Sequence, residues 1–108
     1  MMIETKIEEL IESELDANKQ ERNIILRKFP NSFIKPPFKK QFKNKWSMLE
    51  EAYWVVFDTV PNDKKAGLVI VYSELADSFG VATKDSMKTG TDFCLMLHGS
   101  FLEAFIAM

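Results

Sequence analysis

The chain has 108 residues, 46% of them hydrophobic and 28% charged, with a formal net charge of −2. That length makes a single domain over 1–108, and that balance supplies a core and excludes a chain too polar to fold. A lone cysteine, Cys94, excludes an internal disulfide, and the near-neutral charge argues neither for nor against a nucleic-acid partner. The longest mostly apolar stretch, 93–108, is interrupted by His98, Gly99, Ser100 and Glu103, and it falls short of the roughly 20 residues of a membrane helix. The start, Met-Met-Ile-Glu, carries no basic apolar leader, so a soluble, cytoplasmic protein without a membrane partner is expected.

Ile3, Ile7, Leu10, Ile11 and Leu15 fall at i, i+4, i+7, i+8 and i+12 and make one apolar helical stripe, with glutamates on the remaining faces. Asn18 and Glu21 have capping-box spacing, so a second short helix is expected from Lys19 to about Phe29. Whether the two form one rod stays open. Pro30 ends the second helix. Residues 30–46 hold three prolines and read as an extended loop in which Phe33, Phe38, Phe42 and Trp46 interleave with five lysines. Aromatics alternating with bases can stack on and neutralise single-stranded nucleic acid. The plainer reading is that the rings clamp the loop to the core while the lysines face water.

Ser47 and Glu50 suggest a helical turn through about Ala52. Tyr53–Thr59 and Leu68–Ser73, rich in β-branched and aromatic residues, read as strands flanking a Pro-Asn-Asp…Gly break. Glu74–Ser78 is a turn, Phe79–Thr83 a third strand, Asp85–Thr91 another turn, and Phe93–Leu97 a fourth strand. Gly99 breaks that strand, and Ser100 with Glu103 opens a last helix to Met108. The expected fold is α+β: an antiparallel four-stranded meander with N-terminal helices on one face and a short C-terminal helix. Trp54, Val56, Val69, Val71, Val81 and Leu95 are its expected sheet core, with Ile7, Leu10 and Ile11 packed over it. A rival reading makes 63–79 and 92–107 helices, since Leu68, Tyr72, Leu75 and Phe79 keep helical spacing. The Val-Ile-Val run favours strands, because β-branched side chains lose χ1 freedom in a helix.

Charge is placed in blocks. Residues 1–21 hold seven acids and two bases, residues 22–45 eight bases and no acid, and residues 46–108 nine acids and four bases. In a meander the chain reverses at each turn, so Glu50, Glu51, Glu74, Asp77 and His98 gather at one end of the sheet. The other end mixes signs through Asp63, Lys64, Lys65, Lys84, Asp85, Lys88 and Asp92. The four carboxylates are either a solvated rim or a surface for a basic partner. Reversing Glu74 and Asp77 to lysine is expected to slow association with such a partner and leave stability nearly unchanged.

The chemical motifs are poor. Leu75–Val81 has the outline of a helix-turn-helix first helix, but Gly90 stops the would-be recognition helix early. Cys94 and His98 lack the further ligands of a structural zinc site and the orienting group of a nucleophile–base pair. No phosphate loop, nucleophile elbow or His-Glu-x-x-His run is present. The sequence therefore predicts no enzyme, no cofactor and no metal.

Three short segments carry a resemblance: Tyr53-Trp54-Val55-Val56-Phe57, then Phe79-Gly80-Val81-Ala82, then Gly99-Ser100-Phe101-Leu102 before a terminal Met108. Here residues 53–108 resemble small bacterial immunity proteins, including the partners of contact-dependent growth-inhibition toxins. The resemblance implies a cytoplasmic, non-enzymatic protein that binds and neutralises one cognate toxin. The acidic patch suits a basic nucleic-acid groove, so the toxin is expected to be a nuclease, blocked at its active site or substrate groove. Such proteins vary at their binding residues, so the resemblance assigns no site. The expected toxin-binding residues, Glu50, Glu51, Glu74 and Asp77, rest on charge and topology alone. The alternative is a small nucleic-acid-binding protein that uses the basic-aromatic loop at 33–46.

Overall fold

The computed structural model describes residues 2–44, 47–63, 67–84 and 93–108. Among them run α1 (Ile3–Ala17), α2 (Lys19–Lys28), β1 (Phe33–Asn44), β2 (Glu50–Asp58), β3 (Leu68–Ser73), β4 (Ser78–Thr83), β5 (Phe93–Gly99) and α3 (Phe101–Ala107). The α+β class and the meander order are as expected. The sheet has five strands rather than four, and it closes into a barrel in the order β1-β2-β3-β4-β5. Neighbours β1 to β5 pair antiparallel. An up-and-down meander with an odd number of strands can close only by a parallel pair, and Lys43 and Asn44 of β1 do lie parallel to Phe93 and Cys94 of β5. Among the described residues no helix is long and apolar enough to cross a membrane.

The extra strand is the stretch expected to be a loop. Prolines lack the N–H that a ladder needs, so they sit at bulges and edges. Pro36 and Pro37 fall inside such an irregularity: between the pairs Phe33↔Phe57 and Phe38↔Val55, β1 advances five residues while β2 advances two. From Phe38 on, regular pairing resumes to Lys43↔Glu50. The helical turn expected over 47–52 is absent. Asn44 Oδ1 accepts from Ser47 N, Ser47 Oγ accepts from Leu49 N, and β2 begins at Glu50. A single helix over 63–79 or over 92–107 is excluded where residues are described: β3, a turn and β4 occupy the first stretch, and β5 followed by the separate short helix α3 the second. The helix-turn-helix outline at 75–81 falls on a turn and β4. The expected turn at 85–91 lies outside the described residues, as do Trp46, Lys64, Lys65, Lys88 and Asp92.

Closure divides the core in two. Phe42, Tyr53, Val55, Val69, Val71, Ala82 and Cys94 fill the barrel. Ile7, Ile11, Leu15 and Ile25 from the N-terminal helices and Phe101, Leu102 and Ala104 from α3 cover the outer face, on Trp54, Val56, Phe57, Ile70, Tyr72, Phe79 and Val81. Successive side chains of a strand point to opposite faces. The uninterrupted Val69-Ile70-Val71-Tyr72 run is therefore a strand buried on both sides. Val69 and Val71 point into the barrel, not under the helices. Leu95 is only partly buried, and Leu10, expected over the sheet, is 39% exposed. Phe57 anchors the outer layer, with its ring 5.0 Å from Phe33, 5.6 Å from Phe29, 5.8 Å from Phe101 and 5.9 Å from Phe105.

The helices are two, not one rod. Asn18 leaves helical geometry at φ −133°, and its side-chain amide donates to Glu14 O at 2.8 Å instead of capping α2. The Ser100 cap forms as expected, its Oγ accepting from Glu103 N at 3.1 Å. Gly99, at φ +98°, makes the turn from β5 into α3. A second acceptor comes from α1, since Glu14 Oε1 takes the Leu102 N–H at 3.0 Å. That contact places an anion at a helix start, where the dipole favours it. At Gly80 a Cβ would sit 2.5 Å from Met96 O, so only glycine lets β5 approach there.

Lys84, expected on a mixed-sign surface, is 8% exposed. Its Nζ lies 2.8 Å from Asp58 Oδ1 and donates to Val60 O at 2.7 Å and to Asp63 O, tying the end of β4 to the β2–β3 connection. Removing one partner of a buried pair leaves the other charge uncompensated. Lys84→Ala should therefore lose about 3–5 kcal/mol in urea unfolding; a loss under about 1 kcal/mol would mean that Asp58 and the two carbonyls find water instead.

Candidate functional site

The candidate site grows out of one cross-strand row. Lys39 of β1 lies opposite Trp54 of β2, Trp54 opposite Tyr72 of β3, and Tyr72 opposite Phe79 of β4. Two residues beyond Tyr72 the chain leaves the sheet at Glu74. There Trp54 Nε1 donates to Glu74 Oε1 at 2.6 Å. Lys39 Nζ reaches the same oxygen at 3.2 Å and hangs over the indole, 5.3 Å from its centroid. The indole N–H first, and then Lys39, hold the Glu74 carboxyl below the usual carboxylate range.

Two turns flank this row at the same end of the barrel. In the β3–β4 turn Ser73 Oγ accepts from Ala76 N at 3.1 Å, and Asp77 takes φ +48°. The turn presents Leu75 at 96% exposure. In the β1–β2 turn Met48 takes φ +61°, a left-handed conformation uncommon outside glycine and asparagine. Met48 and Leu49 are 56% and 65% exposed. A groove of about 410 Å³ runs between the elements, lined by Lys39, Glu50, Glu51, Tyr53, Glu74 and Leu75 among others.

Three of the four expected site residues, Glu50, Glu51 and Glu74, thus line one groove. The fourth does not. Asp77 borders a separate groove of about 480 Å³ with Leu10, Glu14, Tyr72 and Phe79, under the flank of α1. His98 lines neither of these grooves. Nor are the carboxylates a loose rim. Glu51 accepts the Tyr53 hydroxyl, and Asp77 accepts the Tyr72 hydroxyl with Lys6 Nζ 3.9 Å away. Glu50 alone of the four makes no ion pair or hydrogen bond among the described residues. Because Glu74 and Asp77 accept hydrogen bonds from Trp54 and Tyr72, which belong to the core, reversing both charges is expected to cost stability as well as surface charge, where the sequence alone led to the expectation of nearly unchanged stability.

The groove holds carboxylates, one lysine and an exposed leucine. Cys94 lies inside the barrel, and burial pushes its thiol above the ordinary value, away from the reactive thiolate. Among the described residues no group of three or more His, Cys, Asp or Glu is placed to hold a metal ion. The exposed Leu75, Met48 and Leu49 were not singled out by sequence reasoning. The available signal was apolar residues inside turn segments, Ser-Met-Leu and Glu-Leu-Ala, where polar ones are usual. Comparison of the chain with family models, with curated proteins and with solved structures finds no match.

Burial, and then the Asp77 carboxylate, push the Tyr72 hydroxyl from 10.0 to about 12. Burial and Glu51 raise Tyr53 in the same direction. A raised folded-state pKa means that the unfolded chain loses its proton first, so stability falls as pH rises. Thermal melts should show the midpoint dropping progressively between pH 10 and about 12, and Tyr72→Phe should lose less over that interval. An equal drop in parent and variant would remove Tyr72 from the account.

Proposed function

We propose that this protein is a non-enzymatic immunity protein that binds a cognate bacterial toxin and covers its active site or substrate groove. The observation that carries this reading is the composition of one barrel end. Apolar Leu75, Met48 and Leu49 stand exposed on two short turns beside a groove bearing Glu50, Glu51 and Glu74. Exposed apolar side chains with a polar rim are the usual make-up of a protein-binding face. Turns anchored on a closed barrel lose little entropy when they dock. The acid rim suits a nuclease, whose substrate groove must be basic to hold phosphates. The resemblance of residues 53–108 to small immunity proteins points the same way.

The nucleic-acid reading draws less support. Phe42 is buried in the barrel, and Lys35 and Lys39 are paired with Glu12 and Glu74. Among the described rings of 33–46, Phe38, 48% exposed, is the one with an open face, and a single described ring is a thin stacking platform.

The reading is tested by co-expression with the product of the reading frame immediately upstream, where an immunity gene's toxin is encoded. The two should co-purify, and Leu75→Asp should weaken binding at least ten-fold with an unchanged melting temperature, as removal of a central apolar anchor does. Unaltered affinity in a folded Leu75→Asp variant would move the interface elsewhere.

A further inference from the structure

We infer that Lys39 is a built-in counter-ion, occupying on Glu74 the place that a cationic side chain of the partner takes in the complex. The inference rests on the reading of the barrel end as a binding face, and it adds the chemistry of what docks there. The occupant is a protein surface with an apolar recess for Leu75 and an arginine or lysine beside it. Glu74 stands immediately before Leu75 in the same turn, so an apolar recess that receives Leu75 brings its own rim to Glu74. Lys39 and Glu74 both line the groove, their Nζ and Oε1 atoms are 3.2 Å apart, and their side chains are 53% and 43% exposed. An ion pair that open to water is weak and exchangeable.

Displacement leaves little behind. Trp54 Nε1 keeps its bond to Glu74 whichever cation is present, because it lies 2.6 Å from the carboxylate on the core side. The Lys39 ammonium, on a side chain 53% exposed, can swing to water, giving up only its place 5.3 Å over the indole. Glu50, unpaired among the described residues, lines the same groove and offers a second carboxylate to the incoming cation. The internal lysine also discriminates. A generic polycation must compete with Lys39 and gains nothing from Leu75, whereas a partner that fills both positions recovers the cost from the apolar contact.

The test uses a fluorescein-labelled nona-arginine peptide, followed by anisotropy at low ionic strength, where exposed charges are least screened. Lys39→Met should bind it about two- to five-fold more tightly than the parent, the range of an exposed ion pair. Lys28→Met, in the last turn of α2, removes the same charge far from the groove and should gain less. Adding Glu74→Gln to Lys39→Met should abolish the gain, while the amide oxygen still accepts from Trp54 and keeps the turn in place. The inference is overturned if Lys39→Met binds no more tightly than Lys28→Met, or if Glu74→Gln leaves the gain intact. Because the peptide carries no apolar anchor, this outcome is independent of whether Leu75→Asp disrupts capture of the upstream product, so the two readings fail separately.

Discussion

The burial of the central strands on both faces is the constraint on which this structure depends. Val69 and Val71 fill the barrel while Ile70 and Tyr72 lie under the helices. A strand in that position has no side left for a ligand, and β2 and β4 are covered in the same way. The barrel interior is filled by Phe42, Tyr53, Val55 and Cys94 as well, so it is a core rather than a cavity. The exposed surface is left to the turns at the barrel ends and to the outward side of β1. At the β2–β3 end the chain is tied down by the buried Lys84–Asp58 pair. The opposite end carries exposed apolar turns and unburied acids, and it is the end proposed to meet a partner.

The acids at the end proposed to bind differ from a charged tail or a solvated helix face. Glu51, Glu74 and Asp77 each accept a hydrogen bond from a ring of the core, Tyr53, Trp54 and Tyr72 respectively. Each bond satisfies a polar group on a large buried aromatic, and each fixes a negative charge at the mouth of the barrel. Stability and surface charge are therefore coupled at these positions. A substitution there cannot be read as a change of electrostatics alone.

Much of the architecture was legible because its signals are local. The stripe of Ile7, Ile11 and Leu15, the Val-Ile-Val strand, the Ser100 cap and the turns around Gly67 and Glu74 each follow from spacing or backbone chemistry within a few residues. The first strand was not legible, because its two central prolines read as a break and its pairing is with residues far along the chain. The register irregularity that absorbs Pro36 and Pro37 is a tertiary accommodation with no local mark. Barrel closure was hidden for the same reason, since without β1 the meander has four strands and no parallel partner for β5. The site was half legible. Topology alone brought Glu50, Glu51 and Glu74 to one end. The separation of Asp77 depends on how α1 lies across the β3–β4 turn, and the pairing of Lys39 with Glu74 depends on the missed strand.

Amide hydrogen exchange, comparing the free protein with its complex with the upstream-encoded product, tests the central claim most directly. The account predicts slowed exchange at 48–53 and 73–77, the two turns and the strand ends that carry the groove, with the lysine-bearing span 38–43 unchanged apart from Lys39 itself. Protection concentrated on β1 or on α2, with the Leu75 turn exchanging as fast as in the free protein, would contradict it.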